Sequence, residues 1–589
     1  MAASEAARRY GVSGDEALLG EGLMHDEAFY AVLARHVKAP FYRGEIAIAE
    51  EVDPERAIAG GIAPLVANES ELSYLLAPRG RSLALLLDAA RARHFPAKIA
   101  IASPRRFGAC VREAAARRIA EDSAHALKRD DETLTAQAGL SAGQIVSGGI
   151  TLLLALTLWR LNPTWLAAAG ALALWACFAA SIGLRAVAIW TSRLGIEAPS
   201  LGPERLPIYS IIVPLNREVA IIDRLVRALD AIAYPRAKLD IKIVVEADDV
   251  ETLRELARRR LPSRYDIIVA APGAPRTKPR ALNVALPFLR GQYVVVYDAE
   301  DSPAPSQLRR AAAHFAAAPE VGCLQARLVV DNVEDSWLTR VFAIEYCALF
   351  DVINPGLAAL GAPIALGGTS NHFRTEVLRR VGGWDAWNVT EDADLGLRLA
   401  RFGVRVAALD SDTYEEQPAT LGRWLNQRRR WHKGWLQTAL VHSRRPIRLA
   451  RELGPTRALC AVALIGGAIL GGLFGPPLTL WTLWRAAFGD LLAPHTFLDA
   501  IGVLMAISVL PTGFFVMVAP AMIGLHARKL DRLAWAIALL PLYYCLVCLA
   551  GWLSLVDFSR RPFHWSKTEH GLALTSTQPR RRDAPSGDD

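Results

Sequence analysis

Cysteine is scarce in this chain, with seven among 589 residues. No regular spacing links them, so nothing suggests a disulfide framework, and a reducing compartment suits the sequence. The one close pair, Cys545 and Cys548, sits inside an apolar run with no second pair to complete a metal site, and reads as packing. The N-terminal stretch MAASEAARRYG lacks an apolar core and is expected not to be a signal peptide. Also missing is a soluble basic face interleaved with aromatic rings. The net charge is +8, yet Arg185, Arg193, Arg528, Lys529, Arg532, Arg560 and Arg561 flank apolar runs. That placement follows the positive-inside pattern of membrane proteins and argues against nucleic acid as a partner.

Apolar residues, by contrast, are abundant. Hydrophobic types make up 52% of the chain and concentrate in two blocks, near Ile145–Trp190 and from Ala458 to about Val556. Each run exceeds the roughly 20 residues that span a bilayer. The first block splits at Arg160-Leu-Asn-Pro163 into a hairpin whose flanking arginines place both ends in the cytosol. The expected organisation is a small α+β domain over 1–135, ending in the charged linker Lys128–Glu132, and a transmembrane hairpin over 145–190. A soluble α/β domain follows over 205–440, then C-terminal membrane helices over 455–557 and a cytosolic tail over 558–589. The basic tail favours four C-terminal crossings, with breaks at Gly475-Pro-Pro477 and Pro541.

Within 205–440, apolar strands alternate with helices: Ile208–Pro214, Ile241–Glu246, Ile267–Ala270 and Tyr293–Tyr297. This pattern predicts a mostly parallel sheet, which binds ligands at the carboxyl ends of its strands. Acidic clusters stand there, at Asp248-Asp249 and at Asp298-Ala-Glu300-Asp301. The second can hold Mg²⁺ or Mn²⁺ against a diphosphate, or simply form a polar turn before the next helix. Thr390-Glu391-Asp392 opens an amphipathic helix and supplies either a general base or charges that favour the helix N-terminus. Gln427-Arg-Arg-Arg-Trp431 offers guanidinium groups for phosphates and an indole for a sugar ring, or a basic helix lying on the membrane surface.

Taken in order, with KPRALN (Lys278–Asn283) among them, these motifs resemble glycosyltransferase family 2, specifically the membrane-embedded processive synthases similar to cellulose and hyaluronan synthases. The resemblance covers about 208–436 and implies a GT-A nucleotide-sugar transferase domain between transmembrane helices. It implies that Asp248 contacts the uridine, Lys278 lies near the diphosphate, and Asp298 and Glu300 form the metal site, with Asp301 in reserve. It makes Asp392 the catalytic base and gives Gln427, Arg430 and Trp431 the diphosphate and the acceptor. Gly367–His372 would shape the acceptor pocket, and Pro562–Gly571 resembles a gating segment. The N-terminal domain loosely resembles that of type II secretion ATPases through Arg9-Tyr-Gly11, Leu18, Leu19 and Gly22. That likeness implies a regulatory or docking role, with cyclic di-GMP as its ligand.

The expected function is inverting transfer from a UDP-sugar to a growing exopolysaccharide at the bacterial inner membrane, with the catalytic domain cytosolic. The alternatives are transfer of a sugar to a lipid carrier and an inactive, transferase-like scaffold.

Overall fold

The computed structural model describes residues 2–44, 47–66, 72–92, 98–192, 199–488, 494–564 and 575. Much of the expected gating segment, the basic residues Lys567 and Arg580–Arg582, and Arg193 lie outside these residues.

The N-terminal domain carries a small sheet of β1 (Ile62–Pro64), β2 (Tyr74–Leu76) and β3 (Ile99–Ile101), with β1 antiparallel and β3 parallel to β2. Leu19, Tyr30, Leu33, Leu83 and Ile101 fill one core beside it. Arg9 and Tyr10 finish the first helix, and Gly11 and Gly22 both adopt positive φ.

The larger sheet consists of β4 (Tyr209–Leu215), β5 (Leu239–Glu246), β6 (Tyr265–Ala270), β7 (Tyr293–Val296), β8 (Ser302–Pro303), β9 (Val321–Val330), β10 (Asn371–Arg374) and β11 (Arg405–Glu415). Its order is β6-β5-β4-β7-β10-β9-β11-β8. The half from β6 to β7 is parallel as expected. The other half departs from that pattern, because β10 pairs antiparallel with both β7 and β9. The sheet is therefore mixed. Its central strands are buried along nearly their whole length, which is why they read as continuous apolar runs.

The two domains are held together by charge. Arg112 pairs with Asp266 at 3.3 Å. One Arg105 nitrogen donates to the carbonyls of Leu261, Pro262 and Tyr265. The charged stretch expected as a linker is also anchored. Arg448 pairs with Asp131 at 2.7 Å, and the buried Arg444 donates to the carbonyls of Glu132, Thr133, Thr135 and Gly139. A guanidinium that collects several carbonyls turns a polar connection into a fixed one.

Among the described residues, six helices are long and apolar enough to cross a membrane. One of them, Trp337–Ala359, is 83% buried inside the protein and serves as a core helix. Ala142–Leu161 and Pro163–Thr191 form the expected hairpin about Asn162. On the C-terminal side the described residues hold three candidate spans where four crossings were expected. Pro476 and Pro477 lie within one continuous helix, Pro455–Ala487, a position that membrane helices tolerate. Pro541 sits in the first turn of Leu540–Arg560, where no N–H is needed.

That last helix meets the catalytic domain at both ends. Near its start, Tyr543 meets Trp424 and Arg428 of the helix Leu421–Ser443. At its end, Asp557 pairs with Arg429, and Lys433 donates to the carbonyls of Arg561 and His564. Both ends thus rest on one helix of the catalytic domain, and Leu540–Arg560 runs alongside that helix. Its outer stripe of Leu542, Leu549, Trp552 and Val556 is exposed. A chain that crosses at the hairpin, Pro455–Ala487 and Phe497–Ala527, with Leu540–Arg560 held on the catalytic side, returns its tail to the side of the N-terminal domain. A reporter cysteine at Ser559 (Ser559→Cys) in a cysteine-free background is therefore expected to react from the same side of sealed vesicles as one at Ser13 (Ser13→Cys). One at Leu161 (Leu161→Cys) should react from the opposite side, as read by labelling with an impermeant maleimide.

Candidate active site

A cavity of about 1770 Å³ opens over the carboxyl ends of the parallel strands. Asp248, Lys278, Asp298, Glu300, Asp392, Gln427, Arg430 and Trp431 all line it, so these eight residues are brought to one space. From there the cavity continues between membrane helices, past Phe178, Gly467, Gly471, Pro511 and Phe514.

Lys278 is central. It is the first residue of the helix Lys278–Ala285. Its Nζ lies 2.5 Å from Asp298 Oδ1 and donates to the Gly368 carbonyl at 2.7 Å. Burial opposes its charge, but Asp298, Glu391 and Asp392 outweigh that effect and hold its pKa above the usual lysine range. Gly368 separates the ammonium from the base candidate. A Cβ there would stand 3.2 Å from Asp392 Oδ2 and 3.9 Å from Lys278 Nζ.

At the end of β7, Asp298 and Glu300 face the cavity and Asp301 turns inward. Asp301 Oδ2 accepts from the Asp298 N–H at 2.7 Å and from the Thr369 hydroxyl. Its other oxygen is buried without a hydrogen-bond partner. Burial, then repulsion from Asp298, Glu300 and Glu415, pushes its pKa well up. Among the described residues no group of three or more His, Cys, Asp or Glu is arranged to hold a metal by itself. The excess of carboxylates still suits a divalent cation. Two of them, Asp298 and Glu300, match the way Mg²⁺ is shared between one or two carboxylates and substrate phosphates. Asp248 is half exposed and paired with Arg276 at 2.8 Å. Its neighbour Asp249 is structural, capping the next helix through the Thr252 N–H.

Thr390 stands at the N-cap position of the helix Glu391–Arg401 without a side-chain hydrogen bond to it. Burial raises the pKa of Asp392 against the backbone N–H of Ala393 and the charges of Lys278 and Arg430. Glu391 is pushed up to about 7, by burial first and Asp392 second. A carboxylate lifted toward neutrality is a better base for a hydroxyl proton.

The helix Leu421–Ser443 forms the opposite wall. Gly434 packs so closely on Thr390 that a Cβ would stand 2.0 Å from its Oγ1. Arg430 donates to the Val389 carbonyl at 3.1 Å. Gln427 keeps a buried Oε1 without a partner. The residue that the motif did not single out is Arg428. It forms a two-pronged pair with Glu345 at 2.9 and 2.5 Å. Its guanidinium stands 4.4 Å from the ring centres of both Phe342 and Trp431, an arrangement that fixes the plane of Trp431. Glu345 and Tyr543 carried no local signal, because only packing brings them to Arg428. Of the glycine-rich run, Gly367, Gly368 and Thr369 line the cavity. His372 instead enters the core against Tyr209 and Gln307, and burial depresses its pKa to about 3.

A raised carboxyl pKa means that the native state binds a proton more tightly than the unfolded chain. Glu391 therefore favours folding below pH 4.5 and loses that contribution as pH rises through about 7. Glu391→Gln should stabilise the nucleotide-free protein at pH 8, by on the order of 1 kcal/mol, and leave it little changed at pH 5. Thermal melts in detergent at the two pH values read this directly.

The chain is similar to known glycosyltransferases. Residues 210–368 match the description Glycosyl transferase family 2, and residues 293–549 match Glycosyl transferase family group 2. "Probable glycosyltransferase YdaM" of Bacillus subtilis is 25% identical over 236 residues, 39% of this chain and 56% of that protein. A beta-monoglucosyldiacylglycerol synthase from Synechocystis sp. is 26% identical over 379 residues, 62% of this chain and 76% of that protein. The enzyme of the same name from Trichormus variabilis is 29% identical over 240 residues, 40% of this chain and 50% of that one. The chain thus spans about half the length of two of these three relatives. A solved mannosyltransferase from Pyrobaculum calidifontis, in complex with GDP-Man and Mn²⁺, aligns at 21% identity over 59% of this chain and 97% of that one, with a TM-score of 0.38. The two family matches run without a gap from residue 210 to residue 549 and take in both the carboxylate and the arginine walls of the cavity, and this part of the chain is a family 2 glycosyltransferase domain.

Proposed function

We propose that this membrane glycosyltransferase moves one sugar from a UDP-sugar onto a hydroxyl of a membrane lipid, inverting the anomeric carbon. The observation that carries the reading is the cavity. Its upper end is charged, and its lower end runs between membrane helices over small and apolar side chains such as Ala468, Leu510, Gly513 and Met517. An amphiphile fits such a space head first. The relatives named for monoglucosyldiacylglycerol synthesis support a lipid acceptor.

In this reading Asp248 lies against the uridine, and Lys278 and Arg430 pair with the diphosphate. Asp298 and Glu300 would hold Mg²⁺ or Mn²⁺, which neutralises charge on the leaving diphosphate. Asp392 takes the proton of the acceptor hydroxyl. The freed oxygen attacks the anomeric carbon from the face opposite the diphosphate, and the sugar–phosphate bond breaks with its electron pair leaving on UDP. Trp431, held by Arg428, offers its face to the transferred sugar, and Gln427 supplies an amide oxygen. No covalent enzyme intermediate forms. The basic flanks of the membrane helices support an inner-membrane location with the catalytic domain in the cytosol.

A second reading, stepwise elongation of a polysaccharide, is favoured by the Gln427–Trp431 motif and by the continuity of the cavity into the membrane helices. Product chemistry separates the two. Purified protein in diacylglycerol-containing nanodiscs, given radiolabelled UDP-sugars with Mg²⁺ or Mn²⁺, should yield a single chloroform-soluble glycolipid. Asp392→Asn should reduce that yield at least 100-fold. Label in a long water-soluble polymer would support the second reading, and no turnover from any donor would count against both.

A further inference from the structure

The loop that leads into Asp392 is a meeting point of four separate parts of the chain. Trp384 exchanges two hydrogen bonds with Asn283 of the helix that begins at Lys278. Asn283 also donates to the Ser123 carbonyl of the N-terminal domain at 3.0 Å. Buried Asp385 accepts from the Thr135 hydroxyl at 2.8 Å and from the Ala136 N–H at 2.6 Å. The Trp387 indole N–H donates to the Ala124 carbonyl at 2.9 Å. Its ring lies 5.9 Å from that of His125 on one side and 5.1 Å from that of Phe563 on the other. The following residues bind the arginine helix. Asn388 reaches Thr438, the Val389 N–H reaches Gln437, and the Val389 carbonyl takes Arg430.

From this arrangement we propose that the N-terminal domain is a positioning element of the catalytic site, acting through residues 123–136 on Trp387 and Asp385. No described residue of the domain lines the cavity. It holds the loop whose next turn carries Asp392, and through Asn283 it holds the helix whose first residue is Lys278. Its polar contacts are largely buried, and buried polar groups hold a single arrangement because alternatives leave them unpaired. A displacement of the helix Ala116–Asp130 would therefore move the base and the ammonium together. Any ligand or partner of the N-terminal domain would act on turnover by this route.

This inference rests on the reading of Asp392 as base, and the test keeps the two apart. Full-length Trp387→Leu and Thr135→Val are compared with wild type in the nanodisc assay, with Asp392→Asn as the separate control. Thr135→Val lies in the segment joining the N-terminal domain to the first membrane helix, far from substrate, and stands in if Trp387→Leu fails to fold. Both variants are expected to lower kcat about 5- to 20-fold with the donor KM within twofold of wild type. Trp387→Phe, which keeps the stack and loses only the indole donor, should recover most of the loss. Unchanged kcat in a folded Thr135→Val would overturn the proposal. So would equal losses in Trp387→Phe and Trp387→Leu, or a rise in KM without a fall in kcat. An active Asp392→Asn would instead overturn the base assignment.

Discussion

The whole site depends on keeping buried carboxylates apart with very few cations. Asp298, Glu300, Asp301, Glu391 and Asp392 crowd one end of the sheet, and Glu300, Asp301 and Glu391 are buried there. Lys278 answers this crowding by lying against Asp298 and sharing Gly368 with Asp392. Arg430 contributes from the other wall. Where cations run out, the carboxyl groups shift toward their neutral forms, as Glu391 and Asp301 do. That same deficit makes the space receptive to a cation brought with the donor and leaves a carboxylate poised to accept a proton.

Charge neutralisation also organises the architecture around the site. Arg428 is buried, paired with Glu345, and packed among aromatic rings. It joins the core helix Trp337–Ala348, the wall helix Leu421–Ser443 and the last helix through Tyr543. Arg444 plays the corresponding part for the N-terminal connection. Each guanidinium brings together segments far apart in the chain. Removing one partner would leave a charge buried without compensation, a loss of roughly 3–5 kcal/mol. The membrane helices, the catalytic sheet and the N-terminal domain thus form a continuous packing around the cavity.

The sequence motifs were legible because each couples a local structure to a chemical type. Acidic residues after an apolar strand read as a strand end facing ligand. Thr390-Glu391-Asp392 before an amphipathic run reads as a helix start. Gln427–Trp431 reads as a charged helix. Less legible were the parts defined by partners elsewhere. His372 stands in a polar, glycine-rich run yet is a core residue, because β10 carries it between two strands. Leu540–Arg560 has the length and composition of a crossing, and only the folded chain shows that both its ends touch the helix Leu421–Ser443. The charged stretch near Asp131 reads as a linker until Arg444 and Arg448 are seen to hold it.

By itself, the sequence determined the alternation of strands and helices, the apolar hairpin, and the residue types that gather in the cavity. These follow from hydrophobic period, helix capping and the placement of charge, all of which are properties of neighbouring residues. Tertiary structure alone decided that Lys278 stands between two carboxylates, that Arg428 fixes the plane of Trp431, and that the N-terminal domain grips the loop before Asp392. Those contacts join residues up to 263 positions apart. Their energy comes from pairing buried charge and polar groups in three dimensions, which no local pattern of the chain encodes.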